Sequence, residues 1–196
     1  MLGTDGNLRC GWGTANQTYI EYHDHEWGRA ALGDQAVYER LCLEGFQAGL
    51  SWITILRKRE HFRSAFKQFD PDLVAAFDEG DVERLLQNSG IVRHRGKIEA
   101  TISNAQAVIA MRLGGCSLHD IVWGHRDDRD IAAAPTTLAE VPAKTEASIM
   151  LSKRLLKLGF RFVGPTTTYA AMQAMGIVND HLVGCHVRDA CEATRS

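Results

Sequence analysis

The apolar positions of this chain recur with a helical period. In "HFRSAFKQF", Phe62, Phe66 and Phe69 fall at i, i+4 and i+7 and form one stripe. In "GKIEATISNAQAVIAMRL", Ile98, Ile102, Ala105 and Ile109 repeat the spacing. Asp34, Asp70 (before Pro71), Asp81 and Ser117 are placed as N-caps, because a short side-chain oxygen can satisfy the free N–H groups of a first turn. Gly114-Gly115 and Gly159 mark helix ends. No run alternates apolar and polar residues as a half-buried strand would, and "RFVG" at 161–164 is too short to found a sheet. The polar stretch "GHRDDRDIAAAPT", 124–136, predicts a surface loop. The pattern therefore predicts an all-α chain of about eight to ten helices joined by short turns.

Length permits one large domain or two intimate small ones, at 196 residues. No linker, repeat or low-complexity segment divides the chain, so residues 1–196 are taken as a single globular domain. The composition, 45% hydrophobic and 23% charged, is that of an ordinary globular protein with a core of useful size. A net charge of -2 argues against wholesale coating of nucleic acid and leaves room for a local basic patch. No run approaches the ~18 apolar residues of a membrane span, and the N-terminus lacks the apolar core of a secretory signal. The expected location is the cytoplasm, where five cysteines read as metal ligands or buried small residues rather than disulfides.

The stretch "CLEGFQAGLSWITIL", 42–56, carries one charge, Glu44, inside what otherwise reads as core. A buried carboxylate without a partner is costly, so Glu44 has a polar partner or lies on a wall where a ligand supplies one. Trp12, Tyr19, Tyr22, Trp27 and Trp52 gather in the first 52 residues. Such side chains suit a slot for a flat ligand such as a nucleobase, although for any single one of them the core is the better reading. Cys10 and His23 near one end, with His181 and Cys185 in "NDHLVGC" near the other, have zinc-ligand character. Four protein ligands would make a closed, structural site joining the two ends. The competing reading is a buried cysteine and a surface histidine in each half. In "HDHE", Asp24, His25 and Glu26 are expected to be solvated or capping, since adjacent side chains point in different directions.

In "LLQNSGIVRHRGKIEA", 85–100, an apolar helix end runs into Ser89-Gly90, a short apolar Ile91-Val92, then a basic helix start. Backbone N–H groups of that turn, with Arg93, Arg95 and Lys97 nearby, can hold a phosphate, and "RKR" at 57–59 can add contacts. A solvated helix face would look the same.

Together, "CGW", "YIEYHDHEWG", "CLEGFQAGLSWITIL", "SGIVRHRGKI", "GFRFVG" and "NDHLVGC" resemble the DNA-3-methyladenine glycosylase I family of the helix-hairpin-helix superfamily, in the expected order from residue 10 to 185. The resemblance implies a structural zinc held by Cys10, His23, His181 and Cys185. It implies a hairpin at about 85–100 that grips the DNA backbone through Gly90, Ile91, Arg93, Arg95 and Lys97. It implies a base pocket in which Glu44 and Tyr22 hydrogen-bond the damaged base, Trp52 stacks on it, and Tyr19 and Trp12 complete the wall. Leu50 would enter the gap left by the flipped base. The hairpin departs from the "LPGVG" type of other relatives, and neither a Schiff-base lysine nor a downstream catalytic aspartate is in evidence, which argues for base removal without strand cleavage.

The implied activity is excision of 3-methyladenine from double-stranded alkylated DNA by a monomer, through base flipping and hydrolysis of the N-glycosidic bond. The alternatives are a damage-binding module without turnover and a zinc hydrolase of a small molecule, the latter disfavoured by a full set of four protein ligands.

Overall fold

In the computed structural model, which describes residues 1–126 and 134–195, regular structure is helical throughout. The helices are α1 (Gln17–His25), α2 (Gly33–Gln47), α3 (Trp52–Ala65), α4 (Pro71–Val74), α5 (Glu79–Gln87), α6 (Arg95–Leu113), α7 (Leu118–Trp123), α8 (Glu146–Lys157), α9 (Pro165–Ala174) and α10 (Arg188–Ala193). Among the described residues the extended pairing is limited to one bridge, Leu2 with Leu8. Much of the loop expected at 124–136 lies outside them. No helix of the described residues is long and apolar enough to cross a membrane.

Helix α2 is the axis of the fold and packs against α3, α6, α7 and α9. Its second half, Leu41 to Phe46, is buried on every side, so Glu44 enters the interior with its apolar neighbours. On α6, Ile98, Ile102 and Ala105 meet that core as the spacing predicts. The Phe62–Phe66–Phe69 stripe is also fully buried, although α3 ends at Ala65. Lys67, Gln68 and Phe69 then take left-handed backbone angles, and this reversal, not a continuing helix, returns Phe69 to the core.

Two of the expected caps hold. Asp70 accepts from the Asp72 N–H, and Ser117 from the Asp120 N–H. Asp81 instead occupies the third position of α5, in a reciprocal capping box with Asp78. Asp34 lies inside the first turn of α2 and serves a different helix. Its carboxylate accepts from the His119 N–H and the Ser117 hydroxyl, both at 2.9 Å, and pairs with Arg112, tying the start of α2 to that of α7.

Candidate active site

A cavity of about 490 Å³ opens between α1, α2, α3, α9 and the turn at Leu138–Glu140. Every Trp and Tyr proposed for a flat-ligand slot lies on it: Trp12, Tyr19, Tyr22, Trp27 and Trp52. They form one contiguous series: Trp12 meets Tyr19 and Trp27 edge-on, with centroids 5.8 and 4.9 Å apart, and Tyr22 and Trp52 are tilted against each other at 5.6 Å. The Tyr19 hydroxyl accepts from the Ile53 N–H at 3.1 Å, so it serves one of the free donors at the start of α3 and fixes Trp52, that helix's first residue.

Glu44 lies on the same cavity and is only 5% exposed. Among the described residues, no donor hydrogen-bonds its carboxylate. Burial pushes its pKa up to about 8, against the partial opposition of Arg40 one turn earlier on α2. The Tyr22 hydroxyl is likewise driven well above its usual range by burial. The Trp52 indole N–H is buried without an acceptor. A slot with a neutralised acid, an idle indole donor and aromatic walls is short of a polar, flat occupant. Gln47, Gln173 and Asp180 complete its polar lining, and Asp180 is itself held by the Tyr169 hydroxyl at 2.5 Å and the Gln173 amide at 2.8 Å. Nothing in the apolar spacing pointed to these three.

The candidate metal ligands also converge. The ligand atoms of Cys10, His23, His181 and Cys185 all lie within 4.8 Å of one another, and all four residues are buried. Cys185 Sγ is 3.5 Å from His23 Nε2 and 3.5 Å from His181 Nδ1, and Cys10 Sγ is 3.7 Å from His181 Nδ1. A tetrahedral zinc with bonds of ~2.0–2.3 Å has ligand–ligand edges of roughly 3.3–3.8 Å, so the set fits that ion. The shared hydrogen bond between the thiols holds Cys185 far below, and Cys10 far above, the usual thiol range.

The outer ring nitrogens are anchored as metal-bound imidazoles require. His181 Nε2 meets the Trp27 carbonyl at 3.1 Å, and His23 Nδ1 meets Asp24 at 2.8 Å. This corrects the expectation for Asp24, which is buried rather than solvated. Burial works against its charge, yet Arg9, His23 and His186 together hold its carboxyl far below the usual range. Glu26 is likewise half-buried and paired with Arg59 and Arg40, while His25 is exposed as expected. Gly13 is needed for close approach, because a Cβ there would stand 2.6 Å from the His23 ring.

Helices α5 and α6 and the turn between them form the expected hairpin. Asn88 Oδ1 accepts from the Gly90 N–H at 2.8 Å, and Lys58 donates to the Ser89 carbonyl at 2.7 Å. A Cβ on Gly90 would meet His61 at 2.8 Å. Ile91 is buried beneath the turn and Arg93 is exposed. Arg95 is held by Glu79, Glu83 and Glu99. Lys97 corrects the sequence expectation: its ammonium is buried and donates to the Phe46 and Ala48 carbonyls at 2.8 and 2.6 Å, capping the end of α2, so it does not reach a phosphate. Within "RKR", Lys58 and Arg59 are similarly engaged, leaving Arg57 exposed. Leu50 lies in the α2–α3 loop and is 43% exposed, between Gln47 and Trp52, which line the cavity.

The scaffold and cavity thus define an all-helical protein with an aromatic-walled pocket. Comparison with known proteins gives the class its name. The sequence model of methyladenine glycosylases matches residues 12–189. DNA-3-methyladenine glycosylase 1 of Escherichia coli (strain K12) is 53% identical over 177 residues, covering 90% of this chain and 95% of the relative. The DNA-3-methyladenine glycosylase of Haemophilus influenzae (strain ATCC 51907 / DSM 11121 / KW20 / Rd) is 49% identical over 177 residues, covering 90% and 96%. A crystal structure of a 3-methyladenine DNA glycosylase I matches with a TM-score of 0.87 at 52% identity, over 91% of this chain and 98% of the other. The chain belongs to the methyladenine glycosylase family.

Proposed function

We propose that this glycosylase excises 3-methyladenine from double-stranded alkylated DNA, using Glu44 to recognise the flipped base. The observation that carries the reading is the buried Glu44 carboxyl with no hydrogen-bond partner, facing an aromatic slot.

A purine methylated at N3 carries positive charge, and its glycosidic bond is already weak. The field of that cation favours the ionised form of Glu44, whose proton passes to solvent, and the resulting carboxylate pairs with the cation and its exocyclic amino group in a low-dielectric site. Trp52 adds a π-face worth about 0.5–2 kcal/mol against a cation. Neutral adenine gains less from either and leaves the buried polar groups unpaired, which is how such a site rejects it. The bond from the base nitrogen to C1′ then breaks, its electron pair leaving with the base and neutralising it. Water adds to C1′ and gives up a proton to solvent. Leu50 fills the gap left in the duplex, and the hairpin turn holds the backbone through its N–H groups and Arg93.

Cys10, His23, His181 and Cys185 would hold a structural zinc. Bound there, the ion supplies cross-linking of the two chain ends and no open position for chemistry. The protein acts as a monomer in the cytoplasm. Incubation with methylated duplex DNA, followed by chromatography of the released bases, tests the reading beside a Glu44→Ala variant. Free 3-methyladenine from the wild type and much less from the variant is the expected result. Equal release by both removes Glu44 from its role, and release by neither, with duplex binding intact, leaves a binding module.

A further inference from the structure

The loop joining α8 to α9 contains a feature that neither the pocket nor the metal centre uses. Phe162 has φ 56°, a left-handed conformation that a bulky residue rarely adopts. Buried side chains hold it from both sides. The Asn104 amide donates to the Arg161 carbonyl at 3.2 Å and accepts from the Arg161 N–H at 2.7 Å. The Ser152 and Thr168 hydroxyls both donate to the Val163 carbonyl, at 2.6 and 2.9 Å. All three clamping residues are at most 2% exposed. Strained residues that their surroundings over-determine cluster at functional sites, and the burial that accounts for Phe69 in the same backbone region is missing at Phe162.

The clamp does not bury the ring. Phe162 is 37% exposed, whereas Phe46, Phe62, Phe66, Phe69 and Phe160 are at most 2% exposed. Its ring stands at the start of α6, edge-on to His94 with centroids 6.2 Å apart, and its tip would be 4.0 Å from a Cβ on Gly96. Its own Cβ lies 3.3 Å from where a Cβ on Gly45 would sit. Phe162 therefore occupies the corner where the hairpin meets the end of α2, next to the loop that carries Leu50. Arg161 and Arg93 are exposed there, and neither pairs with a carboxylate among the described residues, in contrast to Arg95.

We infer that Arg161 and Phe162 form a second contact to duplex DNA beside the hairpin, Phe162 packing on a deoxyribose of the gripped strand and Arg161 pairing with a phosphate next to it. The inference rests on the glycosylase reading of the pocket. An exposed aromatic ring flanked by unpaired cations matches the alternation of apolar sugar and anionic phosphate along a strand. The rigid clamp presents the ring outward without an ordering cost on binding.

The test uses the full chain and a duplex carrying a tetrahydrofuran abasic-site analogue, with fluorescence anisotropy read from about 50 to about 200 mM salt. Phe162→Gly relieves the left-handed strain, so its Tm is expected to hold or rise while duplex affinity falls roughly five- to tenfold. Phe162→Leu, which keeps apolar bulk, is expected to recover part of that loss. Arg161→Ala is expected to lower the slope of log K against log salt by about 0.9. Binding of free 3-methyladenine is expected to stay as in the wild type for all three. Wild-type duplex affinity in Phe162→Gly, or affinity losses that track losses in Tm, would overturn the inference. Loss of duplex affinity in the variants of a protein that releases no base from methylated DNA would retain this contact and refute the enzymatic reading instead.

Discussion

Glu44 should make the free enzyme less stable as pH rises. The unfolded chain releases the Glu44 proton near the ordinary value of 4.5, whereas the folded chain keeps it to about pH 8. Between those values the folded state binds more protons, so stability falls with rising pH and the loss is complete above about pH 8. At about 1.36 kcal/mol per unit, the whole shift corresponds to about 5 kcal/mol, a large share of the ~5–15 kcal/mol that a domain commands. Glu44→Gln removes the titration while keeping shape and polarity. Urea unfolding of both proteins, with zinc present, isolates this one group as the difference between them. From about pH 5.5 to 8 the variant is expected to gain about 3 kcal/mol on the wild type, and little more beyond. With an m-value near 2 kcal/mol/M, that is a midpoint shift of about 1.5 M urea. The same variant should capture 3-methyladenine poorly, which would make Glu44 a case of stability given up for recognition. A constant difference across the pH range, or a variant less stable than the wild type at pH 8, would refute the argument.

Removal of either thiolate ligand, as in Cys185→Ser, is expected to reduce bound zinc from one per chain to none and to lower Tm by more than about 5 °C, measured by metal analysis and calorimetry. Lys97→Met is expected to cost about 2–3 kcal/mol in urea unfolding, because two carbonyls at the end of α2 lose a charged donor, and to leave the salt slope of duplex binding unchanged. Trp52→Ala is expected to weaken binding of free 3-methyladenine by tenfold or more in a fluorescence titration, with duplex affinity for an abasic analogue reduced much less.

The helical architecture was legible because it rests on local periodicity. The stripe on α6 and the caps at Asp70 and Ser117 depend on neighbours a turn away, and the chain spells those out. What escaped depends on distant partners. Lys97 read as part of a basic helix start because nothing local reveals that the Phe46 and Ala48 carbonyls, about fifty positions earlier, sit above it. Asp24 looked solvated because it is adjacent to a ligand, and adjacency on a helix ordinarily separates side chains. Here it reaches back to the outer nitrogen of its own neighbour, His23. The aromatic residues were recognisable as a set, but their arrangement around Glu44 follows from α1, α2 and α3 meeting at one cavity. Gln47, Gln173 and Asp180 carry no pattern at all, and only the fold brings them there. The left-handed turn at Lys67–Phe69 was hidden by an apolar spacing that is helical in sequence and not in space.

The pairing of Arg95 with Glu79, Glu83 and Glu99 has a consequence for how such a protein would travel along a genome. Cations neutralised from within would release no counterions on contact with DNA, so under the proposed function a grip on intact duplex would rest on a handful of groups such as Arg57, Arg93 and Arg161. A shallow electrostatic hold shortens each visit and lets the protein sample many sites per unit time. The long residence then falls only where an unstable base yields to extraction. The acidic collar around Arg95 would thereby bias the molecule toward rapid inspection and against lingering on undamaged DNA.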